Sequence, residues 1–355
     1  MSGAISNGYG IMPALLRNID KLNAQNDQLS AQTSTGVISN SYAGLGDQAD
    51  EVISLQPQIS ATAAWQTSLT QTQAKLNATQ TALAGISAIA TTLQTTLVSL
   101  TASPSASTIA SASASAKQQL ATLTSLLNTQ SGSSFVFAGS ASDQPPVNPP
   151  GLASSSMVAS IMSAVSQVGT AGAGVTEAAT LVSAADNSTS GSAFSAQLSV
   201  SAASAAALVP QVQAGQSETM ATGVIATQGG AATSESTGSS IRDLIRSLAT
   251  VAGLSGADSS STGFQSLVSN TSTQMGNVGE GLQGMIATVG MLQKNATDTS
   301  SNLTDVNDAL TSQLTAATGA DLAVTRTQQI AVQNQLTASY TLIADMKDLN
   351  LAQYL

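Results

Sequence analysis

Apolar residues recur at helical spacing near both ends of the chain, and those near the N-terminus alternate at spacings of three and four, which is the pattern of coiled-coil helices. The first stretch consists of Met12, Leu15, Ile19, Leu22 and Leu29, with Asn26 in the remaining place. The last stretch consists of Val332, Leu336, Tyr340, Ile343, Met346 and Leu351, and it finishes on Tyr354 and Leu355. The sequence therefore predicts an apolar helical stripe at each end.

Two longer stretches between these ends carry heptad repeats. One has residues seven apart at Leu55, Thr62, Leu69, Leu76, Leu83, Ala90 and Leu97, with a companion set at Trp65, Thr72, Thr79, Ile86, Leu93 and Leu100. The other has Met275, Leu282, Val289, Ala296, Leu303 and Leu310, with Val278, Met285, Leu292, Thr299 and Val306. Repeats of this length predict long helices that pack side by side.

The middle of the chain reads differently. Four prolines lie within 145–150, and alternating apolar positions follow at Phe194, Ala196, Leu198 and Val200 and at Met220, Thr222, Val224 and Ala226. Spacing of two favours half-buried strands. After this segment, Ile241, Leu244, Ile245 and Leu248 share one face of a helix that Ser239 or Ser240 would cap.

These patterns predict a mainly α protein, in which the N- and C-terminal segments form a long antiparallel coiled-coil rod with a smaller β-rich central insert. The predicted domains are a terminal paired-helix domain (1–35 with 315–355), a helical rod domain (36–144 with 236–314) and a projecting insert (145–235).

Composition narrows the possible partners. Nine basic and 19 acidic residues give a net charge of −10, and charged residues make up 8% of the chain, against roughly 25% in ordinary proteins. No Lys or Arg lies between Lys117 and Arg242. Phosphate binding needs clustered basic residues, so neither nucleic acid nor an anionic membrane surface is an expected partner.

The chain contains no Cys and no His. This excludes disulfides, thiolate metal ligands and catalytic triads with an imidazole base, and we expect no enzymatic activity, cofactor or metal. The first residues lack the basic and apolar regions of a cleavable signal peptide. No run of about 20 apolar residues is present, so no membrane-spanning helix is expected.

Three short motifs have plainer interpretations than the sites they imitate. "GEGLQG", with Gly279, Gly281 and Gly284, matches a dinucleotide-binding fingerprint but lies inside a heptad stretch with no preceding strand, so close helix packing is the better interpretation. "GDQADE" (46–51) is typical of acidic residues in the first turn of a helix. "DVND" (305–308) is interpreted as the solvated face of a helix.

Three segments carry a resemblance to a known family, namely "QLSAQTSTGVISNSYAGLGDQA" (28–49), "SGSSFVFAGSASDQPPV" (131–147) and "ADLAVTRTQQIAVQNQLTASYTLIADMKDLNLAQYL" (320–355). The first is similar to the N-terminal segment of the flagellin superfamily, and the other two resemble the hook-associated protein 3 family within it. The chain departs from the family at Val37, where a basic residue often stands, and at "YAGLGDQAD", where the family usually has Asp-Asp-Pro.

The resemblance implies a structural protein at the junction between the flagellar hook and filament, exported by the flagellar type III system and assembled as a ring. Its implied partners are other copies of itself, the adjoining hook-associated protein, flagellin and an export chaperone. It also implies that the terminal helices are disordered in the free subunit and fold on assembly. The residues expected to mediate assembly are those of the two terminal stripes: Met12, Leu15, Ile19, Leu22, Leu29, Val332, Leu336, Tyr340, Ile343, Met346, Leu351, Tyr354 and Leu355.

Other interpretations stay open at this point. The protein could be flagellin itself, the subunit of the filament, or a secreted coiled-coil adhesin or fibre protein. The terminal stripes could also form an ordinary helical hairpin within one chain, with no oligomer required.

Overall fold

The computed structural model describes residues 8–348, with side chains described from 12 to 345. The described chain is mainly helical. It divides into two compact units, residues 1–63 with 305–355 (the terminal unit) and residues 64–304 (the central unit). The three-domain division expected from the sequence stays a prediction.

Ten helices occur among the described residues. Their bounds are α1 Gly8–Thr35, α2 Ala49–Thr101, α3 Ala106–Leu127, α4 Ser156–Ser166, α5 Val168–Ala171, α6 Ala173–Ala185, α7 Ala202–Ala205, α8 Ser240–Gly253, α9 Thr262–Thr318 and α10 Leu322–Asp348. The strands form two short antiparallel hairpins, β1 Gln130–Ser131 with β2 Ser134–Phe135, and β3 Gln211–Gln213 with β4 Thr219–Ala221.

In the central unit, the predicted heptads of α2 and α9 form one hydrophobic core. Leu69, Leu76 and Leu83 of α2 are fully buried there with Leu282 and Val289 of α9. Side-chain hydrogen bonds show that the two helices are antiparallel. Gln66 donates to Thr304 at 3.1 Å and Gln73 donates to Thr297 at 3.4 Å, so the partner falls by one heptad as the donor advances by one.

The same heptad pattern fails towards the end of α9. Val306 is 49% exposed, while Asn307, Leu314 and Ala317 turn inward instead. Ala317 is buried with Leu45 and Val52 in a small cluster of the terminal unit. The buried face shifts because two steps of four follow each other, from Thr299 to Leu303 and from Leu303 to Asn307, which breaks the strict heptad alternation.

The prediction that residues 145–235 are rich in β-strands is wrong. Helices α4, α5, α6 and α7 lie within 145–235, and of the residues used to predict strands only Met220 belongs to one, β4. Phe194 makes a single isolated bridge to Val147. Ala and Ser alternate by chance in a chain so rich in both, whereas the helical spacing of Met157, Val158, Ile161 and Val165 in α4 marks its buried face.

Helix α8 is buried all round, from Ile241 to Ala252. It packs against α3, α4 and α6. The predicted helix is confirmed, with Ser239 at its N-cap position, although the Ser239 side chain makes no capping hydrogen bond. A helix that is buried on every side must place its polar residues among partners in the core.

One stretch passes a compositional test for a membrane span. Within Gly46–Thr101, an 18-residue window has a mean hydropathy of 1.4, and 39% of that window is buried in the protein. Core helices pass the same test, and Leu93, Leu97 and Leu100 of α2 are buried in the central unit. The expectation that no helix spans a membrane stays a prediction.

Candidate functional site

The terminal helices α1 and α10 pack against each other along a narrow apolar seam. Ile19, Leu29, Val332 and Leu336 are buried in one cluster, with Leu15, Leu22 and Ile343 partly buried beside them. Asn23 Nδ2 donates to the Tyr340 hydroxyl at 3.5 Å across the pair. The structure therefore brings seven of the predicted assembly residues together within one chain.

The remaining predicted assembly residues are either more exposed than these seven or lie outside the described residues. Met12 is partly exposed, and Tyr340 is 52% exposed because Ser339 takes the inward position of that turn. The side chain of Met346 and the residues Leu351, Tyr354 and Leu355 lie outside the described residues. The inward positions of α10 are thus Thr325, Gln329, Val332, Leu336, Ser339 and Ile343, again in 4-3 alternation.

A second stripe with the same spacing lies on the exposed surface of α10. We call it the outer stripe, and it consists of the residues that each precede an inward position: Val324, Gln328, Ala331, Gln335, Ala338 and Leu342. All six are exposed and none carries a charge; Val324 and Leu342 are 51% and 50% exposed. Coiled-coil helices pack through apolar residues at 4-3 spacing, and four of the six residues of the outer stripe are apolar: Val324, Ala331, Ala338 and Leu342.

The acidic motifs take the places expected of solvated helix residues, with one exception. Asp47 lies in a short 3-10 turn, and Asp50 and Glu51 are in the first turn of α2. Asp305 and Asp308 are exposed on α9, whereas Asn307 between them is partly buried. Among the described residues, no group of three or more side chains is arranged to hold a metal ion.

The glycines of "GEGLQG" lie inside α9, as the close-packing interpretation requires. A β-carbon at Gly281 would overlap the hydroxyl of Ser240 at the start of α8, so the Ser240 side chain would have to move to admit a side chain at residue 281. A β-carbon added at Gly279 or at Gly284 would meet no atom within 4 Å, which makes close packing specific to Gly281.

Sequence reasoning missed a buried polar network on α8. Arg242 is 2% exposed, and its guanidinium lies 5.1 Å from the centre of the Phe194 ring. It donates to four oxygens at 2.8–3.3 Å, one in the last turn of α6 and three in the segment that follows: Ala184 O, Asn187 Oδ1, Leu198 O and Val200 O. Burial lowers the pKa of Arg242 to about 10.

Arg246 and Asp243 hold residues 235–237 in place through hydrogen bonds. Arg246 donates from Nε to Thr180 Oγ1 at 3.0 Å and from Nη1 to Glu235 O at 2.7 Å, and burial lowers its pKa. Asp243 accepts from the Thr237 amide at 3.0 Å and from the Ser236 hydroxyl. The sequence carried one signal of this network: three charged residues, Arg242, Asp243 and Arg246, lie within five positions of a helix that has no other charged residue.

The chain matches no protein-family model and no curated protein.

Proposed function

We propose that this protein is a structural subunit of the bacterial flagellum that joins the hook to the filament. The observation that carries the proposal is the outer stripe on α10, a face with coiled-coil spacing beside the intrachain seam. The three segments that resemble the hook-associated protein 3 family support it, and the last of them (320–355) contains the whole of α10.

The outer stripe has the character of a surface that packs against other copies of the chain. Its apolar members are small or medium in size, its glutamines supply hydrogen bonds, and it contains no charge to be desolvated. A second copy presenting the same helix pair would offer a complementary stripe. In the proposed assembly, subunits form a ring, and the adjoining hook-associated protein and flagellin contact its two sides.

The antiparallel packing of α2 on α9 within the central unit is part of the same proposal. We propose that it is one segment of a coiled-coil rod of the kind found in the flagellin superfamily. Polar residues such as Gln73 and Thr297 take part in this packing through direct hydrogen bonds. The proposed location is extracellular, after export with the help of a flagellar chaperone.

Immunogold labelling of intact flagella tests the proposal. An antibody raised against residues 150–235 suits this purpose, since the region includes Val175 and Val182, which are 64% and 72% exposed. The proposal predicts a single labelled zone at the hook–filament boundary. Label along the whole filament would make the protein a flagellin, and absence of label from flagella would contradict both interpretations.

A pair of substitutions tests whether the outer stripe carries the assembly. Leu342→Glu places a charge on the stripe, and Ile330→Glu places one elsewhere on α10 at a residue of equal exposure, 49% against 50%. We expect only Leu342→Glu to remove the labelled zone while leaving the circular dichroism of the purified subunit unchanged.

A further inference from the structure

Residues 229–238 of the central unit form a loop whose two ends meet, which we call the strap. Gly230 N donates to Gly238 O at 2.9 Å, and a β-carbon at Gly229 would overlap the same carbonyl. Gly238 has φ +82°, a conformation that favours glycine. A loop of this size with adjacent ends is an Ω-loop, a class that is frequently functional.

The strap is held to the protein by polar contacts. Glu235 O accepts from Arg246 Nη1 at 2.7 Å and from Gln274 Nε2 of α9 at 2.6 Å. Asp243 holds Ser236 and Thr237, as described above. Residues 229–235 are all exposed, so this part of the strap buries no apolar side chain.

The strap also lines a polar cleft of about 350 Å³, whose other walls come from α6, α8 and α9. Its walls include hydroxyl and amide groups from Thr180, Ser236, Asn270 and Asn277, together with Arg246 and Asp243. Arg246 uses three N–H groups in the hydrogen bonds it makes to the protein, one to each of Thr180, Glu235 and Glu177. Two of the five N–H groups of a guanidinium are therefore not used in these bonds.

We propose that the strap is a gate, which opens as a unit while the rest of the central unit stays folded and thereby controls access to this cleft. Opening requires the loss of a few hydrogen bonds, whereas the surrounding helices are fixed by buried apolar side chains. Segments with few buried apolar contacts open locally at a lower free energy than the core. This inference is independent of the proposed flagellar function, because it concerns the purified chain alone.

Cleavage by a Glu-specific protease tests the gate. Glu235 is in the strap, Glu280 is in α9 and Glu218 is beside the β3–β4 hairpin, so one digest compares the strap with a helix and with another loop. Gln274→Ala removes one of the hydrogen bonds that hold the strap to the protein. The matched control is Asn277→Ala, which alters the same helix and the same wall of the cleft but leaves the hydrogen bond between Gln274 and Glu235 intact.

The gate predicts that Glu235 is cut well before Glu280 in the unaltered protein. Gln274→Ala should accelerate cleavage at Glu235 about five-fold, the effect of one ordinary hydrogen bond on a local opening equilibrium. Cleavage at Glu218, and the unfolding midpoint, should not change. Ser236→Ala, which removes a contact to Asp243, should act in the same direction.

Two results would overturn the inference. The first is cutting of Glu235 no faster than Glu280, which would mean that the strap opens only when the whole unit unfolds. The second is equal acceleration by Gln274→Ala and Asn277→Ala, which would mean that the contact between Gln274 and Glu235 does not hold the strap closed.

Discussion

The hydroxyl of Ser240 occupies the space that a side chain at residue 281 would need. Ser240 begins α8 and Gly281 lies within α9, so the two helices approach each other closely at this point. The strap and its cleft lie beside this contact, since Ser240 also lines the cleft.

Replacement of Gly281 by Ala should therefore destabilise the protein, although alanine is the better helix former. We expect a loss of about 1 kcal/mol, because the Ser240 hydroxyl can rotate away whereas its β-carbon, 3.0 Å from the new methyl group, must shift. Gly279→Ala and Gly284→Ala are matched controls in the same helix with open space at the new methyl group, and each should be neutral or stabilising by up to about 1 kcal/mol. Urea unfolding monitored by circular dichroism measures all three; a stabilising Gly281→Ala would show that the two helices can move apart freely.

Removal of the Arg242 guanidinium should have a larger effect. Arg242→Met leaves the buried carbonyls of Ala184, Leu198 and Val200 without their donor, and we expect a loss of about 3 kcal/mol or more in the free energy of unfolding. Arg242→Lys should also destabilise, since one ammonium cannot reproduce the planar fork of donors.

The control for Arg242 is Lys117→Met, a substitution of an exposed basic residue in the same unit. It should change stability by less than about 0.5 kcal/mol. Equal stability of the Arg242→Met and Lys117→Met variants would contradict the role given to Arg242.

The long helices could be predicted from the sequence, and the insert could not, for a physical reason. The stripes of α1, α2, α9 and α10 repeat locally, so a short window already contains the signal. The position of Phe194 depends on Arg242, which is far away in the sequence and reaches the segment through its side chain. A contact between residues so far apart in the sequence leaves no local periodicity from which it could be predicted. The outer stripe could be recognised only when the inward face of α10 was known.

Lys75 provides a prediction that depends on pH. It is partly buried on α2, no carboxylate pairs with it among the described residues, and burial lowers its pKa. Lys75→Met should stabilise the protein by up to about 1 kcal/mol, because it removes a desolvated cation and retains an apolar side chain of similar length. Lys117→Met serves again as the exposed control.

The sign of the pH dependence follows from the lowered pKa of Lys75. Between the folded pKa and the unfolded value near 10.5, the unfolded state binds more protons, so the stability of the unaltered protein rises with pH in that window. The advantage of Lys75→Met should therefore be largest below the folded pKa and should shrink as the pH approaches 10.5. An advantage that grows with pH would show that the cation is not penalised by burial.

The small size of the α1–α10 seam predicts how the purified subunit is digested. Four buried apolar residues hold this pair, so it should open at a lower free energy than the core of the central unit. Trypsin should cut at Arg17, Lys21 and Arg326 before it cuts at Lys75 or Lys294. Equal protection of all these sites would mean that the ends are as stable as the core, and the idea that they fold on assembly would fail.

We propose that the outer stripe of α10 faces another copy of the chain, and cysteine cross-linking in assembled flagella tests this contact. The chain has no cysteine, so Ala338→Cys introduces a single thiol on the stripe, and Gln333→Cys introduces one on the opposite exposed flank of the same helix. With a reagent that attaches to the thiol and couples to any nearby residue on illumination, which does not require the same residue of two copies to meet, we predict covalent dimers from Ala338→Cys and none from Gln333→Cys. Monomer from both variants, or equal dimer from both, would contradict the claim.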